Sequence, residues 1–291
     1  MVPLSYKGTI SQNAQEAVLI HDGNREDLVL RINYQIKGDT LPENFAWIIT
    51  VPNEPDAYAV ADETLFEDMF NLSQRLLVPP PPRSSKMLMA NSVDSLSLDS
   101  GVELGKRVEV GPYDIQPVRG VGPNALTGLN AWLKENGFPT EDPDHMKWFV
   151  DNKFTFLAIK VSAAKGSKTV GDGGDLPPMH LSFKSESPYY PLRFSSRQGI
   201  FDVNLHILTR DKFDYEKSSH SLKKINWSDT GLKQNVKLMP SAMPDSLKKL
   251  FADSPWKEDI GAWRYNNLRC YNVNQNNTIS QWTEDIAFVT R

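Results

Sequence analysis

The sequence predicts an α+β protein built as two β-rich lobes of mainly antiparallel strands, each with an amphipathic helix packed on its sheet. Three observations lead there. Apolar residues alternate with polar ones over Leu28–Lys37, the period of a half-buried strand. Apolar residues recur at helical spacing over residues 65–73 and 125–133. Between these patterned stretches stand four consecutive prolines, Pro79–Pro82, which favour an extended segment and stop both kinds of element.

The N-terminal stretch, residues 1–78, reads as β-β-β-α. Ala17–Ile20 is a short apolar run, and His21-Asp22-Gly23-Asn24 supplies turn chemistry for a hairpin into the strand that follows. Phe45–Val51 is apolar on both faces, as a central strand is, and Pro52 stops it. Asp62 is placed to cap a helix whose stripe is Leu65, Phe66, Met69, Phe70 and Ser73, and this helix should pack on the sheet of those three strands.

Residues 79–106 read as a linker or long loop rich in Pro, Ser, Met and Asn. The second lobe then spans 107–210. Val108, Val110 and Tyr113–Val118 have strand character, interrupted by Gly111-Pro112. Asn124 opens a helix through Leu129 and Leu133 that Gly137 closes in a left-handed position. Asp142-Pro143 starts a second helix, cap then proline at the first helical position, burying Met146, Phe149 and Val150. Further strands are expected at Phe154–Val161, Met179–Phe183, Leu192–Phe194 and Phe201–Leu208. Residues 211–291 form an irregular, Trp- and Asn-rich extension, with a short helix near Pro244–Phe251 and a final strand at Asp285–Val289.

Composition narrows the function classes. At 291 residues, 40% hydrophobic and 23% charged, the chain can bury a core without staples. A formal net charge of −4 argues against a duplex nucleic-acid binder, which needs a dense basic face. The lysines at 223, 224, 237, 248 and 249 stand near acids and read as a solvated surface. The single cysteine, Cys270, excludes an intrachain disulfide and reads as a small buried hydrophobe. No apolar run is long enough to span a bilayer, and Met1–Ile10 lacks the pattern of a signal peptide.

Chemistry-bearing patterns are sparse. Gly120-Val121-Gly122-Pro123-Asn124-Ala125 mimics a dinucleotide loop, but Pro123 removes an amide that a pyrophosphate would need, so a tight turn is the alternative. Gly166-Ser167-Lys168-Thr169 scrambles the order of a phosphate loop. In Gly171-Asp172-Gly173-Gly174-Asp175, the carboxylates of Asp172 and Asp175 could share a Ca²⁺; the alternative is a solvated hairpin tip. No other cofactor is expected. His21, His145, His180, His206 and His220 have no metal-ligand spacing, although His180 and His206 could meet on neighbouring strands. Glu141, Asp142 and Asp144 gather at a helix start, where the helix dipole accounts for them. Trp227, Trp256, Trp263 and Trp282 lie among amides and form a candidate interaction surface for a protein or glycan; local packing is the alternative.

Several of these segments resemble a family. Phe45-Ala46-Trp47-Ile48-Ile49-Thr50-Val51-Pro52 with Leu65-Phe66 behind it is similar to the family's strand and following helix. Val108-Glu109-Val110-Gly111-Pro112-Tyr113-Asp114-Ile115 and Ala131-Trp132-Leu133-Lys134-Glu135-Asn136-Gly137 resemble its central block, and Phe154–Val161 and Pro191-Leu192-Arg193-Phe194 its later strands. The family is domain of unknown function 2330, of bacterial proteins, and the resemblance covers roughly residues 10–210. It carries no activity to transfer. It implies a protein that is exported or of the cell envelope with its signal peptide removed, though the sequence leaves a cytoplasmic location open. The function expected is a non-catalytic binding or structural protein of the envelope. The alternatives are a hydrolase or glycan-active enzyme with acids assembled from distant loops, and a subunit of a larger assembly.

Overall fold

A computed structural model describes residues 2–3, 9–76, 101–163, 167, 169–195, 199–218, 225, 227, 235–252, 261, 263–273 and 285–290. The linker prolines, Trp256, Trp282, His220, Lys223 and Lys224 lie outside the described residues.

The class is α+β, with two large, mostly antiparallel sheets. The first sheet contains β1 (Val2–Pro3), β4 (Asn44–Val51), β6 (Val102–Leu104), β7 (Val108–Val110), β8 (Tyr113–Gly120) and β9 (Thr155–Ser162), ordered β1-β4-β9-β8-β6 with β7 also on β8. The second contains β2 (Thr9–His21), β3 (Arg25–Lys37), β5 (Ala57–Val60), β10 (Gly173–Asp175), β11 (Met179–Lys184), β13 (Asp202–Thr209), β15 (Val236–Leu238) and β16 (Trp263–Cys270). Its order is β15-β16-β13-β2-β3-β11-β5, with β10 also on β3, and β13 runs parallel to β2. Two small ribbons complete the set: β12 (Tyr189–Tyr190) with β17 (Ile286–Ala287), and β14 (Phe213–Asp214) with β18 (Val289–Thr290). Among the described residues the α-helices are α1 (Leu65–Leu76), α2 (Ala125–Glu135), α3 (Pro143–Asp151) and α4 (Asp245–Ala252).

Alternation along the strands sorts side chains into three cores. Odd positions of β4 (Phe45, Trp47, Ile49, Val51) meet Leu28, Leu30 and Ile32 of β3 in a core shared by the two sheets. Ala46 and Ile48 point the other way, towards α2 and α3 and the aromatic cluster of Phe149, Phe154 and Phe156. That is why β4 is apolar on both faces: its sheet lies between the other sheet and a helical layer. Val18, Ile20 and Val29 face the opposite side of the second sheet, where α1 and α4 cover them. Each sheet therefore carries helices on its outer face.

The strands do not follow the order of the lobes along the chain. β4 pairs with β9 rather than with β3, and β3 pairs with β11. Residues 1–78 and 107–210 thus contribute strands to both sheets, and α1 packs on the sheet of β2 and β3 without β4. Long-range pairing wins here because β4, apolar on both faces, is buried on both only between a sheet and a helical layer.

Local signals mostly act as the residues suggest. In the hairpin turn Gly23 takes φ 116°, and the Asp22 carboxylate accepts from Asn24 N and Arg25 N at 2.9 Å. Asp142 accepts from Asp144 N at 2.8 Å with Pro143 behind it, and Gly137 has φ 78°. Asn124 occupies the N-cap of α2 but makes no side-chain capping bond. Phe70 is exposed on α1 rather than in its stripe, under the guanidinium of Arg269. Residues 193–195 form a 3-10 turn, not a strand. In the C-terminal extension, β16 is an interior strand with every residue but Arg264 buried.

Candidate functional site

The densest buried polar chemistry lies on segment 185–195, which links β11 to β13. Tyr190 enters the core between the sheets and Tyr189 the aromatic layer under α3. Groups remote in sequence hold this segment. Glu26, fully buried at the start of β3, accepts from Tyr189 N at 2.7 Å. Gln15 of β2 accepts from the Tyr190 hydroxyl and donates to Ser195 Oγ at 2.6 Å. Asp285 accepts from Leu192 N at 2.9 Å, from Arg193 N, and from the Tyr189 hydroxyl. Thr50 of β4 donates to the same carboxylate at 3.3 Å.

Two successive amides aimed at one carboxylate form an anion-binding turn. Burial nevertheless dominates the electrostatics. It pushes the Asp285 carboxyl up to about 6 against the opposing pull of these donors and of the Arg193 charge. Glu26 is raised well above the ordinary carboxylate range, by burial first and then by Asp27. Arg193 lies 5.1 Å from the Phe149 ring centroid, and its carbonyl meets His145 Nε2 at 3.2 Å. Beside the segment is a crevice of about 20 Å³, room for one water, lined among others by Gln15, Arg31, Trp47, Phe194 and Ser195.

A carboxyl near 6 has the acidity of a general acid or base. Here both of its oxygens are engaged by the protein, it is 2% exposed, and the adjoining crevice is too small for a substrate. What the arrangement does is fix a turn to a strand.

A second cluster sits on the outer face of the second sheet. Asp27 Oδ1 accepts from Ser182 Oγ and lies 2.9 Å from His180 Nε2, while Arg25 donates to Ser182 and pairs with Asp56. The residue types are those of a hydrolase triad, but the connectivity is not. A triad needs the histidine between nucleophile and acid. Here the acid stands between the other two, so His180 is not placed to take the Ser182 proton and the relay of a triad is not formed.

Asp172 and Asp175 are exposed on the strip that pairs with β3; Asp175 is engaged by Asn33 at 2.8 Å and lies 3.7 Å from Arg31. Among the described residues no three His, Cys, Asp or Glu side chains gather as for a metal. Trp227 and Trp263 are buried, so neither belongs to an exposed docking face. Trp263 packs edge-on against Phe251, with the Arg210 guanidinium 3.9 Å from its ring centroid. The two strands between β11 and β13 keep His180 and His206 apart. Burial pushes the Cys270 thiol up to about 11, away from thiolate chemistry. The Gly120–Ala125 loop is a turn, with Gly122 at φ 71° and Ala125 N donating to Gly122 O. Among the described residues β8, which precedes it, pairs only antiparallel, unlike the strand of a dinucleotide fold.

Sequence reasoning missed Glu26, Asp27, Arg193 and Asp285. Glu26 and Asp27 precede the alternating run, and Asp285 reads as a strand's first residue. The signal for the three acids is a carboxylate placed directly against apolar strand residues, and Arg193 likewise stands between Leu192 and Phe194.

Fold and site together define a two-sheet α+β protein, helix-covered on both outer faces, whose buried acids serve as clamps. A family model described as an uncharacterized protein conserved in bacteria, domain of unknown function 2330, matches residues 1–239, and the chain belongs to that family. No curated protein matches it. Among solved structures it is similar to baculovirus P35, at 9% identity and TM-score 0.43 over 94% of this chain and 95% of that one. A mutated baculovirus P35 after caspase cleavage is similar at 8% identity and TM-score 0.38, over 90% and 92% of the two chains. Likeness at this level carries no argument about function. Among the described residues no helix is long and apolar enough to cross a membrane.

Proposed function

We propose that this chain is a non-catalytic binding or structural protein of the bacterial cell envelope. One observation carries the non-catalytic part. The buried acid that has the acidity for proton transfer, Asp285, spends its oxygens on Leu192 N, Arg193 N and Tyr189, and among the described residues the crevice beside this segment has room for one water. Groups arranged to react keep a free face towards a pocket. The envelope part rests on the export that resemblance to the family implies.

The test has two arms. Purified full-length chain is offered chromogenic esters, glycosides and peptides, beside Asp285→Asn and Asp27→Asn variants. No turnover above buffer is expected; turnover that either substitution abolishes would overturn the non-catalytic reading. Fractionation of a native host should place the chain with the envelope, and recovery from the cytosol alone would overturn the location.

A further inference from the structure

The segment Asp285–Thr290 belongs to neither large sheet. It lies in a groove as an added strand would: Tyr189 and Tyr190 pair with Ala287 and Ile286 on one part, and Phe213 and Asp214 with Thr290 and Val289 on the next. Phe288 N donates to Pro188 O at 2.9 Å between the two ribbons. Ile286 and Phe288 are fully buried, while Ala287, Val289 and Thr290 are half-buried. Phe288 meets Phe213 edge-on at 5.3 Å. Asp285 then docks as an acidic end-piece on the Leu192 and Arg193 amides. This is the recognition mode of strand addition, with main-chain bonds for affinity, alternate side chains in pockets and one charged anchor for register.

Groove and occupant differ in one further respect. Tyr189, Tyr190, Leu192, Arg193, Phe213 and Asp214 all lie within the family-matched residues 1–239, whereas Asp285–Thr290 lies outside them.

We propose that this groove is an exchange site for the Asp285–Thr290 segment of a second copy of the chain. The occupant that fits is defined by the acid–aliphatic–small–aromatic pattern of Asp285-Ile286-Ala287-Phe288. A second copy brings the same two anchors and the same carboxylate, so exchange conserves the pairings of Asp285–Thr290 and is governed by concentration. The inference rests on reading Asp285 as a binding group.

The experiment uses two full-length chains, one carrying Asp214→Cys and the other Val289→Cys, positions that face each other in the ribbon. The chains are unfolded together, refolded at high concentration and oxidised. A single chain carrying both substitutions shows whether the bond can close. A covalent heterodimer is expected. Excess Asp285–Arg291 peptide should abolish it. No heterodimer while the double variant closes within its own chain would overturn the proposal. If the double variant does not close, Phe213→Cys with Thr290→Cys replaces the pair, and failure of both pairs also overturns it. A heterodimer unaffected by the peptide would overturn the groove as its cause. Turnover that depends on Asp285, from the assays above, would overturn the binding reading separately and leaves the cross-linking result standing.

Discussion

The two outer faces of this molecule are covered by helices in opposite ways. Under α2 and α3 the filling is aromatic: Phe149 packs on Trp148, Phe154, Phe156 and Phe194 at centroid distances of 5.1–6.0 Å. Under α1 and α4 the apolar residues share the face with a polar network. Arg31 pairs with Glu16 beneath Phe66, Asn204 donates to Glu16 at 3.3 Å, and Arg269 reaches Ser73 of α1. At its centre His206 is fully buried, with Nδ1 2.7 Å from the Tyr265 hydroxyl and Nε2 3.2 Å from the Asn204 amide. Asn204 is the donor in that last contact, so Nε2 accepts from it. Non-directional packing tolerates a helix sliding by a fraction of a turn; directional bonds do not. The polar face therefore sets the register of α1, whereas the aromatic face supplies adhesion.

Acid separates the two faces most sharply. Burial, then the charges of Arg269 and Arg31, hold the His206 imidazole down at about 3. The folded state binds this proton less tightly than the unfolded chain, so stability is lost as pH falls from about 6.5 towards 3. The full contribution is about 5 kcal/mol. Urea titrations across that range should show the loss, and His206→Leu should flatten most of it; His21, also lowered by burial, leaves a residual slope. An unchanged slope in the variant would remove His206 as the weak point of the polar face. The next largest effect belongs to the aromatic face. Phe149→Ala removes the ring shared by four aromatic neighbours and should cost about 4 kcal/mol, independent of pH. A loss below about 1 kcal/mol in chemical unfolding would mean that the layer repacks freely and adhesion is not concentrated there.

How far each face was legible follows from its chemistry. The aromatic one is written in local pattern: Met146 and Phe149 recur at helical spacing after an Asp-Pro start, and Phe154–Val161 is dense in strand formers. The polar one is not. β16 reads Trp-Arg-Tyr-Asn-Asn-Leu-Arg-Cys, where Asn266, Asn267 and Arg269 make a buried strand look like a solvated stretch. Each is engaged by partners distant in the chain: Asn266 Oδ1 accepts from Asn235 N at 2.9 Å, Asn267 donates to Asn204 at 2.7 Å and to Leu205 O at 3.0 Å, and Arg269 donates to Ser73. No local rule shows such partners. Asp285 is hidden for the same reason, since its partners are about ninety residues away. The class was readable because periodicity is local; the sheet pairing was not, because β4 and β9 find each other across the intervening hundred or so residues.

The clamp beside the aromatic face should answer acid in the opposite sense to His206. Asp285 faces Tyr189, Tyr190 and Arg193, with Glu26 beyond Tyr189. Its carboxyl is raised from 3.8 to about 6, chiefly by burial. The folded protein holds this proton more tightly than the unfolded chain does. Its contribution is therefore complete below about pH 4 and is lost as pH rises through 6, a swing of about 3 kcal/mol. Asp285→Asn cannot titrate. The stability of the wild-type chain relative to this variant should rise by about that amount between pH 7 and pH 4, while its stability relative to His206→Leu falls over the same interval. Amide exchange at Leu192 and Arg193, corrected for intrinsic pH dependence, should slow on acidification in the wild type and stay level in Asp285→Asn. A relative stability that falls with acid would mean the amide donors outweigh burial at this carboxylate, and the two faces would then weaken together.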